Sequence, residues 1–157
     1  MVQLARILLL FGGLIAGLGQ AEGLRDKDHE LNPDTPKTLA GETTTLKTEE
    51  GTPFQVYAVG PEDAKRGMLV IHEWWGLNDH IRGWADRLAE LGYRAMAVDL
   101  YNGEVATTPD RARALMAAVD QDEANARHRA VLKALQAPGR KVGAIGWCFG
   151  GGQSLQA

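Results

Sequence analysis

Short, continuous apolar runs alternate along this chain with longer segments of helical periodicity. A run of this length, without a polar residue at every second position, is typical of a strand buried on both faces of a sheet. Three runs have this character: 68–71 (MLVI), 93–98 (YRAMAV) and 141–145 (KVGAI). Earlier, the segments TTTLKT and PFQVYAV are rich in β-branched and aromatic residues, and they predict a hairpin where the folded domain begins, near residue 41.

The segment between the first two buried runs predicts a helix from Asp79 to Leu91. Gly92 follows it and is typical of a helix stop. Apolar residues recur in it at helical spacing, at Ile81, Trp84, Leu88 and Leu91.

A second helical region follows the second run. Thr108 before Pro109 is typical of a helix start, and the stretch to Ala137 is rich in Ala and Leu, with an interruption expected near Asp120. Strands that alternate with helices of this length indicate βαβ units. We therefore expect an α/β fold with a doubly wound, mostly parallel sheet, whose functional loops lie at the carboxyl ends of the strands.

Composition restricts the class of protein but not its activity. Of 157 residues, 45% are apolar and 24% are charged, which is close to the average for globular chains. The net charge of −3 comes without a clustered basic face, so a nucleic-acid partner is not expected.

The first residues differ from the rest. Arg6 precedes an apolar run at 7–18 that is short for a bilayer span, and small residues lie just before Glu22. This pattern predicts a secretory signal peptide at 1–21 and a polar leader at 22–40. The protein is then expected to be periplasmic or secreted, with no stable membrane span after cleavage. An uncleaved anchor and a buried apolar helix are the alternatives.

The only cysteine of the chain, Cys148, follows the third buried run in the sequence GAIGWCFGGG. Without a second cysteine, an internal disulfide and a structural zinc site are not expected. Gly146 and Gly150 give the pattern Gly-x-Cys-x-Gly, which between a strand and a helix is typical of a nucleophile in a tight turn. The alternative is a small apolar cysteine in a glycine-rich turn. The glycine spacing matches neither a dinucleotide nor a P-loop motif, so no cofactor or metal is expected.

A second loop, HEWWG, follows the first buried run. Glu73 lies there between an apolar strand and two tryptophans, and a carboxylate in that setting is a candidate functional group, or else a solvated loop charge. Trp74 and Trp75 fit a lid or core as well as a substrate contact. His72 is expected to belong to the strand end, and Asp99, after the second run, to be a turn or cap acid.

Together these segments resemble the dienelactone hydrolases, a branch of the α/β-hydrolase fold. The resemblance covers about residues 52–157 and rests on VIHEWWGLN, GYRAMAVDLY and KVGAIGWCFGG. It implies hydrolysis of a small-molecule ester or lactone by a Cys-His-Asp triad with Cys148 as the nucleophile. It further implies that Glu73 holds or accepts the thiol proton, and that the backbone N–H groups of Trp74 and Phe149 form the oxyanion hole.

The chain departs from this family in its histidines. In α/β-hydrolases the triad acid and histidine follow the nucleophile in the chain. Here all four histidines precede Cys148: His29, His72, His80 and His128. We therefore expect the sequence to be the N-terminal portion of a longer hydrolase, truncated after the nucleophile elbow and inactive by itself. A general carboxylesterase or acyl hydrolase, and a non-catalytic binding protein, are the alternative functions.

Overall fold

The computed structural model describes residues 38–157. The strands are β1 (Glu42–Lys47), β2 (Pro53–Val59), β3 (Arg66–Ile71), β4 (Tyr93–Val98) and β5 (Lys141–Gly146). The helices are α1 (Asp79–Glu90), α2 (Pro109–Ala117), α3 (Gln121–Leu135) and α4 (Phe149–Ser154). The predicted signal peptide, 1–21, and nearly all of the predicted leader, 22–40, lie outside the described residues.

One mixed sheet organises the described residues, with the strand order β1-β2-β4-β3-β5. The neighbouring strands β4, β3 and β5 are parallel, as predicted for the three apolar runs. The predicted hairpin is formed by β1 and β2, and β2 pairs with β4 in the antiparallel sense. The predicted α/β fold is therefore confirmed. Its sheet is mixed rather than mostly parallel, because two of the four strand pairings, β1 with β2 and β2 with β4, are antiparallel.

Both faces of the sheet are covered, which is why the central strands are apolar without alternation. Val70 packs on one face with residues of α1, whereas Leu69 and Ile71 pack on the other with residues of α3. All three side chains are fully buried. A strand that buries both faces between helices is the arrangement of a doubly wound fold, as predicted.

The helices begin where the sequence predicts. Thr108 caps α2 through a hydrogen bond that its side chain accepts from the N–H of Arg111. Asp120 caps α3 in the same way, so the expected interruption is confirmed. Leu91, which continues the apolar spacing of α1, is instead 65% exposed, because α1 ends at Glu90 and Leu91 is its C-cap. No helix within residues 38–157 has the length and apolar character needed to cross a membrane.

The chain enters the domain at a fixed point beside α1. The hydroxyl of Tyr57 donates a hydrogen bond to Asp86 at 2.6 Å and accepts one from the N–H of Gly41. Asp86 also accepts from the N–H of Ala40 at 3.0 Å. Burial, and then the bond to Asp86, raise the pKa of Tyr57 to about 12, so the phenol stays protonated as the donor.

Candidate active site

Cys148 lies in a sharp turn between β5 and α4, with φ 53° and ψ −118°. Residues other than glycine rarely adopt this backbone conformation, and the neighbouring glycines leave room for the tight turn. A Cβ on Gly146 would lie 2.3 Å from the carbonyl oxygen of Gly150, and a Cβ on Gly150 would lie 2.4 Å from that of Ile71. The predicted strand-turn-helix context is therefore present, and the Cys148 side chain is exposed at its tip.

The loop that carries Glu73 leaves the sheet beside this turn. Ile71 pairs with Gly146 at the ends of the parallel strands β3 and β5, so Glu73 and Cys148 each follow their strand by two residues. The carbonyl oxygen of Glu73 accepts a hydrogen bond from the N–H of Gly76 at 3.2 Å, which forms a turn. Among the described residues, no hydrogen bond joins the half-buried Glu73 to the thiol of Cys148.

Two backbone N–H groups at this edge have the character expected of oxyanion-hole donors. Phe149 is the first residue of α4, where an N–H has no partner inside the helix. Trp74 lies in the turn after Glu73. Within residues 38–157, neither N–H donates a hydrogen bond to another backbone group.

His72 links two loops below the site. The ring is fully buried, its Nδ1 donates to the carbonyl oxygen of Glu73 at 2.6 Å, and its Nε2 accepts from the N–H of Leu100 at 3.2 Å. We assign this tautomer because the backbone partners require it. Burial lowers the pKa of His72, so the ring is neutral and has no nitrogen left to act as a base. His72 belongs to the strand end, as predicted.

Of the other two described histidines, one is hydrogen-bonded to a neighbouring side chain and the other is buried in the core. His80 accepts a hydrogen bond from the indole N–H of Trp84 at 3.2 Å, within α1. His128 is fully buried on α3, and neither ring nitrogen has a partner among the described residues. Burial, followed by the neighbouring His72 and Arg129, lowers the pKa of His128 to about 4. His128 is thus a neutral core residue at pH 7.

Asp99 shapes the loop after β4, as predicted for a turn acid. Its carboxylate accepts hydrogen bonds from the N–H of Tyr101 at 2.9 Å and from that of Gly103. Asn102 in this loop has φ 54°. The loop is therefore bent tightly around one carboxylate, which fixes the direction of the Tyr101 side chain.

Arg127 was not singled out by the sequence analysis, yet it braces the same loop. Its guanidinium donates to the carbonyl oxygen of Asp99 at 3.0 Å and to the side-chain oxygen of Asn102 at 2.8 Å. It also pairs with Glu123 at 3.0 Å and is only 5% exposed. The only local signal for this residue is the i, i+4 spacing of Glu123 and Arg127 on α3.

Tyr101 is a second residue that the sequence analysis did not select. Its ring packs against His72 at a centroid distance of 4.6 Å and against Phe149 at 6.0 Å. Its hydroxyl is buried without a hydrogen-bond partner among the described residues. Burial, and then the charge of the Cys148 thiolate, raise the pKa of Tyr101 to about 12. This phenol is therefore protonated at neutral pH.

Tryptophans border the site on two sides. Trp147, between Gly146 and Cys148, packs on Trp84 of α1 at a centroid distance of 5.1 Å. Trp74 and Trp75 pack edge to face at 5.0 Å and are half-buried. Cys148 thus lies at the carboxyl edge of the sheet among aromatic side chains and unpaired N–H groups.

Comparison with known proteins identifies relatives of this chain. The family model described as "Dienelactone hydrolase family" matches residues 54–157. The chain is 34% identical over 117 residues to Protein usf of Aquifex pyrophilus, covering 68% of this chain and 51% of that protein. A protein of Aquifex aeolicus (strain VF5) named "Putative carboxymethylenebutenolidase" is 34% identical over 113 residues, covering 66% of this chain and 49% of that protein. The chain therefore spans about half the length of these curated relatives.

Solved structures show the same likeness. The protein named m3DLH is 33% identical, with a TM-score of 0.61 over 74% of this chain and 53% of that one. A dienelactone hydrolase-like promiscuous phosphotriesterase from metagenomic libraries is 30% identical, with a TM-score of 0.60 and the same coverage. The matched segment contains β2 to α4 together with the turns at Glu73 and Cys148, and the chain belongs to the dienelactone hydrolase family.

Proposed function

We propose that this chain supplies the nucleophile of a dienelactone hydrolase-type enzyme, which cleaves a small-molecule ester or lactone through an acyl-enzyme on Cys148. The backbone conformation of Cys148, held between two glycines with no room for a side chain, carries this proposal. A residue is rarely strained in this way unless the conformation is used, and here it presents the thiol at the tip of the turn.

The chemistry assigns one task to each neighbouring group. The thiol proton passes to Glu73, and the sulfur forms a bond to the carbonyl carbon of the substrate. The N–H groups of Trp74 and Phe149 donate to the oxygen that becomes negative. The C–O bond to the leaving group then breaks, the leaving oxygen takes the proton held by Glu73, and the acyl group remains on Cys148 as a thioester.

The described histidines limit what these residues do after acylation. His72 uses both ring nitrogens, His80 is bonded to Trp84, and His128 is enclosed in the core. Within residues 38–157 no histidine is therefore placed to activate water against the thioester. From these residues alone we expect one acylation per molecule without sustained turnover.

The test is acylation of the full chain by p-nitrophenyl acetate. We expect release of one equivalent of p-nitrophenolate and an acetyl group on Cys148, identified by mass spectrometry of its peptide. Cys148→Ala should show neither. Equal p-nitrophenolate release by Cys148→Ala would refute the proposal, and slow alkylation of a thiol with an ordinary pKa would favour the non-catalytic binding protein.

A matched pair of substrates addresses the substrate class. An aromatic lactone and an open-chain phenyl ester release the same type of phenolate, but only the lactone keeps it tethered to the acyl group. Faster acylation by the lactone supports the dienelactone hydrolase type. Acylation by the open-chain ester alone would support the general carboxylesterase.

We also propose that the protein is exported. The pattern of Arg6, the apolar run at 7–18 and the small residues before Glu22 supports this location. N-terminal sequencing of protein from a bacterial periplasm or culture medium should begin at Glu22. Exported protein that retains Met1 would contradict cleavage and favour an anchor.

A further inference from the structure

We propose that Tyr101 is a hydrogen-bond donor to the thiolate of Cys148, a role that rests on the proposed function. The first observation is the isolation of its hydroxyl. Tyr101 is 5% exposed, and its oxygen has no hydrogen-bond partner among residues 38–157. A buried hydroxyl without a partner is unfavourable, and such groups are rare enough in proteins to need an explanation.

The second observation is the place where this hydroxyl is held. The Tyr101 ring contacts His72, at the end of β3, and Phe149, which follows Cys148 directly. A Cβ on Gly76 would lie 3.2 Å from the Tyr101 ring, so the turn after Glu73 closes over it from another side. Tyr101 is thus enclosed by the segments that carry the nucleophile and its predicted proton acceptor.

The third observation is the rigidity of the loop. Asp99 holds the N–H of Tyr101, Arg127 holds both Asp99 and Asn102, and the N–H of Leu100 is bonded to His72. Four hydrogen bonds therefore hold the loop that carries the phenol, in addition to the contacts of its ring. Cys148 is exposed and directly precedes Phe149, whose ring contacts that of Tyr101.

The other polar side chains around the thiol are not available as hydrogen-bond donors, which leaves Tyr101. Glu73 is an acceptor when ionised, His72 already uses both nitrogens, and His128 is neutral behind His72 on α3. Arg127 is committed to Asp99, Asn102 and Glu123. The Tyr101 hydroxyl is buried without a partner among the described residues, and its ring contacts Phe149 directly after Cys148, so Tyr101 is the side chain suited to donate to a thiolate there.

The test is the pH dependence of Cys148 alkylation by iodoacetamide in the full chain, which requires no turnover. Tyr101→Phe removes the hydroxyl and keeps the ring. If the phenol donates to the thiolate, its loss should raise the apparent thiol pKa by about one unit. Tyr93→Phe is the matched control, because Tyr93 lies at the opposite end of β4 and its hydroxyl accepts a hydrogen bond from the exposed Arg66.

Two outcomes separate this inference from the proposed function. An unchanged thiol pKa in Tyr101→Phe, with fast acylation of Cys148 in both proteins, would overturn the role of Tyr101 and leave the nucleophile intact. Absence of acylation in the parent would overturn the proposed function, while the difference in thiol pKa between parent and variant would still decide the hydrogen bond. Circular dichroism of Tyr101→Phe checks that the variant keeps the parent fold, as expected if only the hydroxyl is lost. Tyr101→Leu also removes the ring and shows how displacement of the loop affects the thiol pKa.

Discussion

A side-chain carbon on Gly150 would lie 2.4 Å from the carbonyl oxygen of Ile71, so the turn around Cys148 and the end of β3 are in direct backbone contact. This approach brings the loop of Glu73 beside the nucleophile, because the carbonyl oxygen of His72 would lie only 2.6 Å from the same carbon. The distance between the two predicted site residues is therefore set by a glycine and not by a side-chain contact.

Gly150→Ala should destabilise the protein by about 2–3 kcal/mol, because backbone atoms of β3 cannot move aside as a flexible side chain would. Gly152→Ala is the control in the same helix, since a Cβ there meets no atom within 4 Å. That variant should be neutral or more stable by about 0.5–1 kcal/mol. Urea unfolding measures both, and equal effects would contradict the close approach.

Cys148→Gly should fold more stably than Cys148→Ala by about 1 kcal/mol, because only glycine adopts the φ of 53° without strain. Neither variant has a thiol, so both should lose acylation. Comparing their free energies of unfolding isolates the backbone strain from the loss of sulfur. Equal stabilities would mean that the turn is unstrained.

Glu73→Gln should slow the acylation of Cys148 by about tenfold or more and displace the pH midpoint of its alkylation, because glutamine cannot accept the thiol proton. Glu90→Gln, the same change at the exposed end of α1, should leave both unchanged. If Glu73→Gln acylates at the parent rate with the parent pH profile, Glu73 is a solvated loop charge.

Arg127→Lys should cost about 2 kcal/mol of stability, because an ammonium group cannot reach Asp99, Asn102 and Glu123 with the geometry of a guanidinium. Hydrogen exchange at the amides of Tyr101 and Gly103 should accelerate as their loop loosens. Arg129→Lys is the control, because Arg129 is a neighbouring exposed arginine on the same helix. That variant should keep both the parent stability and the parent exchange rates.

Stability should decline as the pH falls from about 6.5 to about 4. His128 is neutral in both states at pH 7, but below pH 6.5 the unfolded chain binds a proton that the folded core binds only near pH 4. This difference in proton binding lowers the free energy of unfolding by up to about 3 kcal/mol. His72, whose pKa is also lowered by burial, acts in the same direction. His128→Leu should reduce the slope of unfolding free energy against pH, whereas His80→Leu should retain it.

Much of the fold was predictable because its signals are local. The apolar runs, the caps at Thr108 and Asp120, and the glycines around Cys148 each depend on a few adjacent residues. The strand order was not predictable from such patterns, since the insertion of β4 between β2 and β3 is a long-range choice.

The candidate site divides in the same way. Cys148 and Glu73 could be selected as candidates from the sequence because motifs surround them. Arg127 and Tyr101 were missed because their roles come from contacts made after folding: Arg127 reaches Asp99 across 28 positions of the chain. A buried arginine on an otherwise ordinary helical face gives no local sign of the loop it holds.

The fixed entry point of the chain has a practical consequence. Gly41 lies against Val59, which pairs with Ala95 toward the start of β4, whereas Cys148 lies beyond the opposite, carboxyl end of the parallel strands. Because Tyr57 and Asp86 hold this entry point, a fluorophore attached at the exposed Thr38 starts from the end of the sheet remote from the thiol. A labelled Thr38 thus reports on the domain without covering the edge that carries Cys148.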